Sequence, residues 1–394
     1  MHSETVVICA AARTPIGKFM GGLQTVSAVE LGEVVTRAVV ERAGADPSQV
    51  DQVLFGMARQ AGEGPNPARQ ISYRSGVPET AQAMTVNQAC ASGLRSIALA
   101  ATELLQGSAR MVVAGGVETM SRNPFMLPDM RKGYRLGHAP LVDGNYADGF
   151  HCRLVDGPMG GTAETLADKY EIGRDEQDSF AVASQHKAEA AQKAGRFADE
   201  IVPVTARVRR KEIVVDTDEH LRHGATLEGM AKLPPVFRKD GTVHAGNSSG
   251  ITDGAAAVLL TTAGVARELG LPVMASLAGH AMAGVDPHIM GIGPVPATEK
   301  LMAATNLTTD DVDLIELNEA FAAQVIACDR EMHLDQDKLN VNGGSIALGH
   351  PIGCTGTRIV VTLLHEMQKR DVRRGLATLC VSGGMGIAAL FERE

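Results

Sequence analysis

The chain of 394 residues contains no tryptophan, and its tyrosines and phenylalanines bring the aromatic fraction to only 3%. Its core must therefore consist mainly of small aliphatic side chains, and the 43 glycines allow close backbone contacts. No hydrophobic run is long enough to cross a membrane, because charged or turn-forming residues interrupt each one. A hydrophobic content of 44% with 21% charged residues is typical of a globular protein, and the length predicts two or three lobes.

Positive net charge and paired cysteines are also missing. A formal charge of −9 argues against general nucleic-acid binding, so an anionic ligand would need a local basic patch. Without a C-x-x-C pair, neither a disulfide scaffold, a zinc ribbon nor another metal site is expected. Residues 1–15 contain no basic region followed by a long apolar stretch, which predicts a cytoplasmic protein. The six cysteines are scattered, at Cys9, Cys90, Cys152, Cys328, Cys354 and Cys380.

Two parts of the chain share the same order of signals. In each, "VN" leads through a loop into a helix, and an apolar strand then ends near Gly-Gly. The loops are "VNQACASG" in the first part and "VNGGSIALGHPIGCTG" in the second, and the strand ends are "VVAGGVE" and "LCVSGGMG". This recurrence predicts a duplicated α/β unit. The intervening sequence is irregular, with two helices predicted over 162–170 and 174–194. We therefore expect a first half over 1–122 and 248–272, an inserted loop domain over 123–247, and a second half over 273–394.

Cys90 stands where a strand-like run gives way to an amphipathic helix that begins after Gly93. Unpaired N–H groups and the positive end of the dipole at a helix start favour a thiolate, so a lowered pKa and a nucleophilic role are predicted. The alternative is a small buried core residue. The helix is indicated by apolar residues at three- and four-residue intervals, namely Leu94, Ile97, Ala98, Ala101, Leu104 and Leu105.

Four further residues have both a chemical and a structural interpretation. His350 lies in a glycine-rich loop, where it either approaches a ligand or is a satisfied structural histidine. Cys380 ends an apolar strand and could be merely a buried thiol. Asn318 and Glu319 lie between a strand and a helix, where capping is the ordinary role. Together with Cys90, these side chains supply what acyl transfer coupled to proton abstraction beside a carbonyl requires.

Four blocks occur in one order along the chain: "NQACASG", "NEAFAA", "GGSIALGHPIGCTG" and "CVSGGMG". In these blocks the chain resembles the thiolase family, specifically its biosynthetic acetyl-CoA C-acetyltransferases, and the similarity begins at "ARTPIGKFMGGL". The resemblance implies two similar α/β halves, layered helix, sheet, helix, sheet, helix, with a loop domain inserted in the first half. It also implies reversible Claisen condensation of two acetyl-CoA to acetoacetyl-CoA and CoA through an acyl-cysteine.

The resemblance assigns a role to each catalytic residue. Cys90 would be the acylated nucleophile and His350 would remove its proton. Cys380 would be the second acid/base, acting at the α-carbon of the second acetyl-CoA after a modest downward shift of its thiol pKa. Asn318 would hold a water that, with His350, stabilises the enolate oxygen. The backbone N–H groups of Cys90 and Ser382 would form the other oxyanion site, although Ser382 replaces the more usual glycine.

The resemblance also implies a binding site for acyl-CoA and CoA, without a further cofactor. Gly229 departs from a serine often found near the nucleotide, and Pro158 replaces a histidine common in biosynthetic relatives. The implied assembly is a homo-oligomer, a dimer or a tetramer, with neither nucleic acid nor membrane as a partner. The implied binding residues are Arg222 at the nucleotide, Ser249 at the pantetheine arm, Met159 and Met290 around a short acyl pocket, and Phe237 and Phe321.

Several alternatives remain open on the sequence. A degradative 3-ketoacyl-CoA thiolase would use the same residues with a wider pocket, and a catalytically silent acyl-CoA-binding protein would only bind. A decarboxylating ketoacyl synthase would need two histidines, and a dinucleotide-dependent oxidoreductase would need a G-x-G-x-x-G motif. The basic segment is either a solvated surface or a seat for a phosphate-bearing ligand. Its cations are Arg207, Arg209, Arg210, Lys211, Arg222, Lys232, Arg238 and Lys239.

Overall fold

The computed structural model describes residues 4–394 and confirms an α/β chain with a large mixed sheet. The strands are β1 Val6–Arg13, β2 Gly17–Lys18, β3 Gln52–Gly56, β4 Gln82–Val86, β5 Met111–Thr119, β6 Phe125–Met126, β7 Val142–Asp143, β8 His151–Cys152, β9 Gly157–Pro158, β10 Val204–Val208, β11 Lys211–Val215, β12 Thr252–Thr262, β13 Ala275–Gly284, β14 Leu314–Leu317, β15 Arg374–Val381 and β16 Met385–Glu392. The helices are α1 Ala28–Ala43, α2 Pro67–Arg74, α3 Ser92–Leu105, α4 Met159–Lys169, α5 Arg174–Lys193, α6 Leu227–Ala231, α7 Ala263–Leu269, α8 Pro294–Thr305, α9 Ala322–Met332, α10 Ser345–Leu348 and α11 Ile352–Arg370.

The predicted duplication is visible in the strand order. The sheet runs β14-β15-β16-β13-β1-β12-β5-β3-β4, and β2 pairs with β12. In the first half, β1, β12, β5, β3 and β4 follow one another, antiparallel twice and then parallel twice. The second half repeats this with β13, β16, β15 and β14, and a parallel bridge from Ile315 to Leu339 stands where β4 stands in the first half. A short antiparallel pairing of β1 with β13 joins the halves.

Alternate side chains of the strands build the predicted five layers. On β1, Val7 and Cys9 face one core, and Val6 and Ile8 face another. The first core lies between the first half-sheet and helices α1, α2 and α7. The second contains α3 and α11, enclosed by strands of both half-sheets, and a third packs α8 and α9 on the outer face of the second half-sheet. This layering brings the starts of α3 and α11 to the middle of the molecule.

The two halves differ in how their last two strands along the chain are connected. In the second half, β15 turns into β16 through Ser382, Gly383 and Gly384. In the first half, the same connection, from β5 to β12, contains α4, α5, α6 and three two-stranded sheets. The helices predicted over 162–170 and 174–194 are thus present as α4 and α5. Within the described range of the chain, no helix is both long and apolar enough to span a bilayer.

A buried ion cluster ties this long connection to the sheet. Arg13 at the end of β1 donates from Nε to Glu200 at 2.6 Å and from both terminal nitrogens to Asp218, at 2.7 and 2.9 Å. The three residues are almost fully buried. Because the cation contacts both carboxylates at close range, the cluster ties the insertion to the end of β1.

Candidate active site

One cavity of about 580 Å³ lies where the connections of both halves meet the insertion. Of the five residues with a predicted catalytic or oxyanion role, Cys90, His350, Cys380 and Ser382 line this cavity, whereas Asn318 lies behind its wall. All six predicted substrate-binding residues also line it: Arg222, Ser249, Met159, Met290, Phe237 and Phe321. Residues that are hundreds of positions apart in the sequence are therefore brought to one site.

The turn before α3, which carries Cys90, has a strained backbone at the preceding residue, Ala89. Ala89 has a φ of 46°, in the left-handed region that most side chains avoid. Ser92 stabilises this turn, because its hydroxyl donates to the carbonyl of Ala89 at 2.6 Å and accepts from the N–H of Gln88 at 2.9 Å. The helix begins at Ser92, two residues after the cysteine, so the prediction that Cys90 immediately precedes the first turn is confirmed.

The prediction of a lowered pKa for Cys90 is wrong in this structure. Burial raises the pKa of the thiol above its ordinary value. The backbone N–H of Ser382 and the positive charge of Arg59 oppose this shift without reversing it. Because desolvation outweighs the helix start, Cys90 is a neutral thiol near neutral pH and requires a base to become a nucleophile.

His350 is arranged to be that base. The hydroxyl of Thr355 donates to the carbonyl of Pro351 at 2.9 Å, so its oxygen accepts from Nδ1 of His350 at 2.6 Å. This assigns the ring hydrogen to Nδ1 and leaves a lone pair on Nε2, which is buried and has no protein partner. Burial, reinforced by the charges of Arg358 and Arg59, lowers the pKa of His350 to about 3, which keeps the ring neutral.

Cys380 is the last but one residue of β15 and is fully buried. Burial, together with repulsion from a charge on Cys90, raises its pKa well above the ordinary value, contrary to the expected modest decrease. The hairpin after it requires glycine at two positions, because Gly383 and Gly384 have φ values of 89° and 86°. Ser382 is outside the left-handed region, so a serine fits there, and its N–H is directed at Cys90.

The capping interpretation of Asn318 and Glu319 is wrong, since the N-cap residue of α9 is Phe321. Asn318 accepts a hydrogen bond from Ser345 at 2.6 Å, and its buried Nδ2 has no protein partner. Glu319 accepts from Ser184 at 2.6 Å and from the N–H of Ile346 at 3.1 Å. Both side chains therefore connect β14 to the loop that carries His350, and the amide of Asn318 keeps a free donor.

The predicted acyl-pocket residues pack around Cys380. Met290, Phe321 and Cys380 belong to one buried cluster, against which Met159 and Phe237 pack. The two phenylalanine rings meet edge to face, with centroids 6.1 Å apart. The side of the cavity next to Cys380 is therefore narrow and apolar.

The basic segment contributes less than the phosphate-seat hypothesis requires. Arg222 lines the cavity, where its side chain donates to the carbonyl of Ala245 at 3.1 Å. Arg238 instead pairs with Asp168 at 2.9 Å. Gly229 lies in α6 and does not line the cavity. Of the eight cations of this segment, Arg222 alone lines the cavity, and the others conform to the solvated-surface interpretation.

Sequence reasoning missed several residues of the site. Thr355, in the first turn of α11, orients His350, and its place five residues later in the same glycine-rich block was the available signal. His220 lines the cavity with an unpartnered Nε2, and burial lowers its pKa to about 4. Arg59 lines the cavity from the loop after β3. Among residues 4–394, no group of three His, Cys, Asp or Glu is arranged to hold a metal ion.

Comparison with known proteins agrees with this site. Residues 6–264 match the model of the thiolase N-terminal domain, and residues 271–393 match that of the thiolase C-terminal domain. The chain is 54% identical to acetyl-CoA acetyltransferase of Paracoccus denitrificans, over 98% of this chain and 99% of that protein. The crystal structure of the Bacillus anthracis acetyl-CoA acetyltransferase superposes with a TM-score of 0.97 at 45% identity, over 98% of both chains. Human mitochondrial 3-ketoacyl-CoA thiolase superposes with a TM-score of 0.97 at 39% identity, over 100% of both chains. The chain belongs to the thiolase family.

Proposed function

We propose that the protein is an acetyl-CoA C-acetyltransferase, which condenses two acetyl-CoA to acetoacetyl-CoA and CoA or catalyses the reverse thiolysis. The observation that carries this proposal is the convergence of Cys90, His350 and Cys380 on one cavity, with a neutral imidazole whose Nε2 is free to accept a proton. The names of relatives at about half identity over the full chain favour the same reaction.

In the first half-reaction, Nε2 of His350 takes the proton of Cys90 as the sulfur attacks the thioester carbon of acetyl-CoA. The carbon–sulfur bond to CoA breaks, His350 returns the proton to the departing thiolate, and the products are acetyl-Cys90 and CoA. The backbone N–H groups of Cys90 and Ser382 stabilise the tetrahedral oxyanion. Their approach to the sulfur of Cys90 supports this assignment.

In the second half-reaction, Nε2 of His350 takes the proton of the Cys380 thiol, and the thiolate so formed removes a proton from the α-carbon of a second acetyl-CoA. The resulting carbanion attacks the acetyl carbon on Cys90, a carbon–carbon bond forms, and the bond to the Cys90 sulfur breaks. The N–H at Nε2 of the protonated His350 and a water held by the free Nδ2 of Asn318 donate to the enolate oxygen. His350 then gives its proton to the thiolate released at Cys90, so that all three groups return to their starting state. Protein partners are missing at both nitrogens, which supports these roles.

The same cavity is proposed to bind CoA and acyl-CoA. Arg222 extends from its rim toward the nucleotide, and Ser249 lies along the pantetheine arm. Met159 and Met290 beside Cys380 support a short acyl group on that side. The loop domain over 123–247 contributes Arg222, which is why we propose it as a CoA-binding unit.

We also propose that the protein is a homo-oligomer, a dimer or a tetramer. Two surfaces support this. The strand β4 is an unpaired edge of the large sheet. The segment 125–141 exposes several large apolar side chains, an arrangement that is rare on a monomer. These are Phe125, Leu127, Met130, Tyr134, Leu136 and Leu141.

Thiolysis of acetoacetyl-CoA by the purified protein, beside 3-oxooctanoyl-CoA, tests the proposed activity. We expect strong preference for acetoacetyl-CoA. Comparable turnover of the longer substrate would assign the chain to the degradative 3-ketoacyl-CoA thiolases instead. CoA binding without turnover of either substrate would leave a silent acyl-CoA-binding protein.

Two variants separate the roles of the cysteines. Cys90→Ser should form no acetyl-enzyme with acetyl-CoA, because the weaker hydroxyl nucleophile replaces the thiol. Cys380→Ser should still be acetylated at Cys90 but should lose at least about 100-fold in condensation, within the range typical of a missing acid/base. Mass spectrometry of the acetylated peptide measures both outcomes. Normal acetylation of Cys90→Ser would refute the assignment of the nucleophile.

A further inference from the structure

Arg59, in the loop after β3, is a buried cation whose side chain lacks a strong partner. Its exposed fraction is 4%. The guanidinium donates to the sulfur of Met120 at 3.1 Å and, weakly, to the carbonyl of Asn145 at 3.4 Å, and its Nε has no partner. A buried charge of this kind is unfavourable unless hydrogen bonds or an opposite charge compensate it.

The two other deeply buried arginines are compensated. Arg13 contacts two carboxylates, and Arg358 lies 3.2 Å from an oxygen of Glu316. In the part of the chain that the structure describes, Arg59 forms no ion pair. Its nearest carboxylate, Glu118, instead accepts the backbone N–H groups of Ala58 and Arg59, both at 3.1 Å.

The fold nevertheless provides a fitted place for this side chain. The guanidinium stacks on the ring of Phe150, 4.7 Å from its centroid. A Cβ atom at Gly149 would lie 1.6 Å from its Nη2, so any other residue at this position would displace the guanidinium. Packing on one face of the guanidinium leaves its edge, where the N–H groups are, to meet another group.

Arg59 stands where two cavities adjoin. It lines the reaction cavity together with Cys90 and does not belong to the apolar cluster around Cys380. It also lines a second cavity of about 390 Å³, which shares Ala58 and Asp148 with the first. The remaining wall of the second cavity is mostly polar: Gln60, Ala61, Asn87, Asn123, Ala147, His151 and Arg153.

None of the acidic side chains near Arg59 contacts its guanidinium, so an anionic group of a ligand could bind there. Asp148 is half-exposed and lies 4.0 Å from Arg153 on the same wall, and neither Asp148 nor Asp143 reaches the guanidinium of Arg59. Glu118 is occupied by backbone N–H groups, including that of Gly353 at 2.9 Å. An acyl group on Cys90 that carried a carboxylate at its far end would therefore meet a cation that forms no ion pair with the described residues.

We propose that Arg59 is a specificity-determining residue that binds the terminal carboxylate of a dicarboxylic acyl group, so that the site thiolyses 3-oxo-dicarboxylyl-CoA thioesters as well as acetoacetyl-CoA. This rests on the proposed thiolase activity and extends its substrate class. A planar guanidinium binds a carboxylate with two parallel hydrogen bonds, which an uncharged acyl group of equal length cannot form.

The step uses the chemistry already described, in the thiolysis direction. Nε2 of His350 takes the proton of Cys90 as the sulfur attacks the 3-oxo carbon, the bond between C2 and C3 breaks, and the C2 carbanion takes a proton from Cys380 and leaves as acetyl-CoA. His350 then returns its proton to Cys380. The shortened acyl group, with its carboxylate, stays on Cys90 beside Arg59. CoA then attacks this thioester, its thiol proton returns to the enzyme, and a dicarboxylyl-CoA with two fewer carbons is released.

The test compares 3-oxoadipyl-CoA with 3-oxohexanoyl-CoA, which has the same number of acyl carbons and no carboxylate. The quantity measured is the ratio of their kcat/KM values, in the full-length wild type, Arg59→Met and Arg59→Lys. Since a bidentate charged contact is lost, the ratio should fall about 10- to 100-fold in Arg59→Met and less in Arg59→Lys. Because any general loss affects both substrates, it cancels in the ratio.

The outcomes separate this inference from the proposed function. Wild type that thiolyses acetoacetyl-CoA and 3-oxohexanoyl-CoA but not 3-oxoadipyl-CoA would overturn the carboxylate site alone. An equal loss on both six-carbon substrates in Arg59→Met would also overturn it and would make Arg59 a charge that acts on Cys90. Wild type inactive toward acetoacetyl-CoA as well would refute the proposed function itself.

Discussion

The hydroxyl of Thr355 offers a direct test of how His350 is made a base. It joins Nδ1 of the ring at 2.6 Å to the carbonyl of Pro351 at 2.9 Å. In Thr355→Val the side-chain volume is retained, but Nδ1–H is left buried without a partner. The tautomer with hydrogen on Nε2, which cannot accept the proton of Cys90, is then no longer disfavoured.

The expected effect can be estimated from this hydrogen bond. When His350 takes up the proton it becomes a cation, and its bond to Thr355 becomes charge-assisted. Hydrogen bonds to charged groups contribute about 1.5–3 kcal/mol. At about 1.4 kcal/mol for each factor of ten, acetylation of Cys90 should slow about 10- to 150-fold.

The assay is single-turnover acetylation of Cys90 by acetyl-CoA, measured by mass spectrometry after rapid quenching. Thr355→Ser keeps the oxygen and is the matched control, which we expect within about threefold of the wild type. The KM for acetyl-CoA should change little, because Thr355 does not line the cavity. Wild-type acetylation in Thr355→Val, or an equal loss in Thr355→Ser, would refute the reasoning.

Two other predictions concern stability and pH. Arg13→Met should lower the free energy of unfolding by about 3–5 kcal/mol, because Glu200 and Asp218 are left buried without their cation. Urea denaturation measures this loss, and a deficit below about 1 kcal/mol would contradict the argument. Alkylation of Cys90 by iodoacetamide should rise with pH without a plateau below about 8.5, since the pKa of its thiol is raised. No inflection is expected near 6.5, because the pKa of His350 is lowered to about 3 and the ring stays neutral above that pH; a plateau near pH 7 would indicate a preformed ion pair instead.

Much of the fold could be predicted because the same order of strand, loop and helix signals occurs twice in the sequence. The strand β1, the helices α4 and α5 and the glycine-rich turns each follow from short-range patterns, and the repeat of these patterns predicted the duplicated unit that the strand order shows. The capping hypothesis for Asn318 and Glu319 failed because both side chains form hydrogen bonds with residues distant in the sequence. A local pattern contains no information about such partners.

The pKa shifts and ion pairs at the site also could not be predicted from the sequence. A helix start predicted a lowered pKa for Cys90, and the helix is present, but desolvation by the surrounding layers outweighs it. The role of Thr355 depends on the path of one turn. That Arg222 lines the cavity, alone among eight similar cations, depends on how the insertion folds back. Arg59 carries no motif, and its unpaired state becomes visible only once its neighbours are known.

The sequence by itself determined the two-halved α/β fold and the cysteines and histidine to which we assign proposed catalytic roles, because these depend on periodicity, turn residues and short blocks. Tertiary structure alone decided which of these residues meet, which protonation state each prefers, and that Arg59 is buried without an ion-pair partner among the described residues. The physical reason is that desolvation and hydrogen-bond partnership depend on atoms brought close from distant parts of the chain, and both outweigh the local preferences that a sequence pattern records.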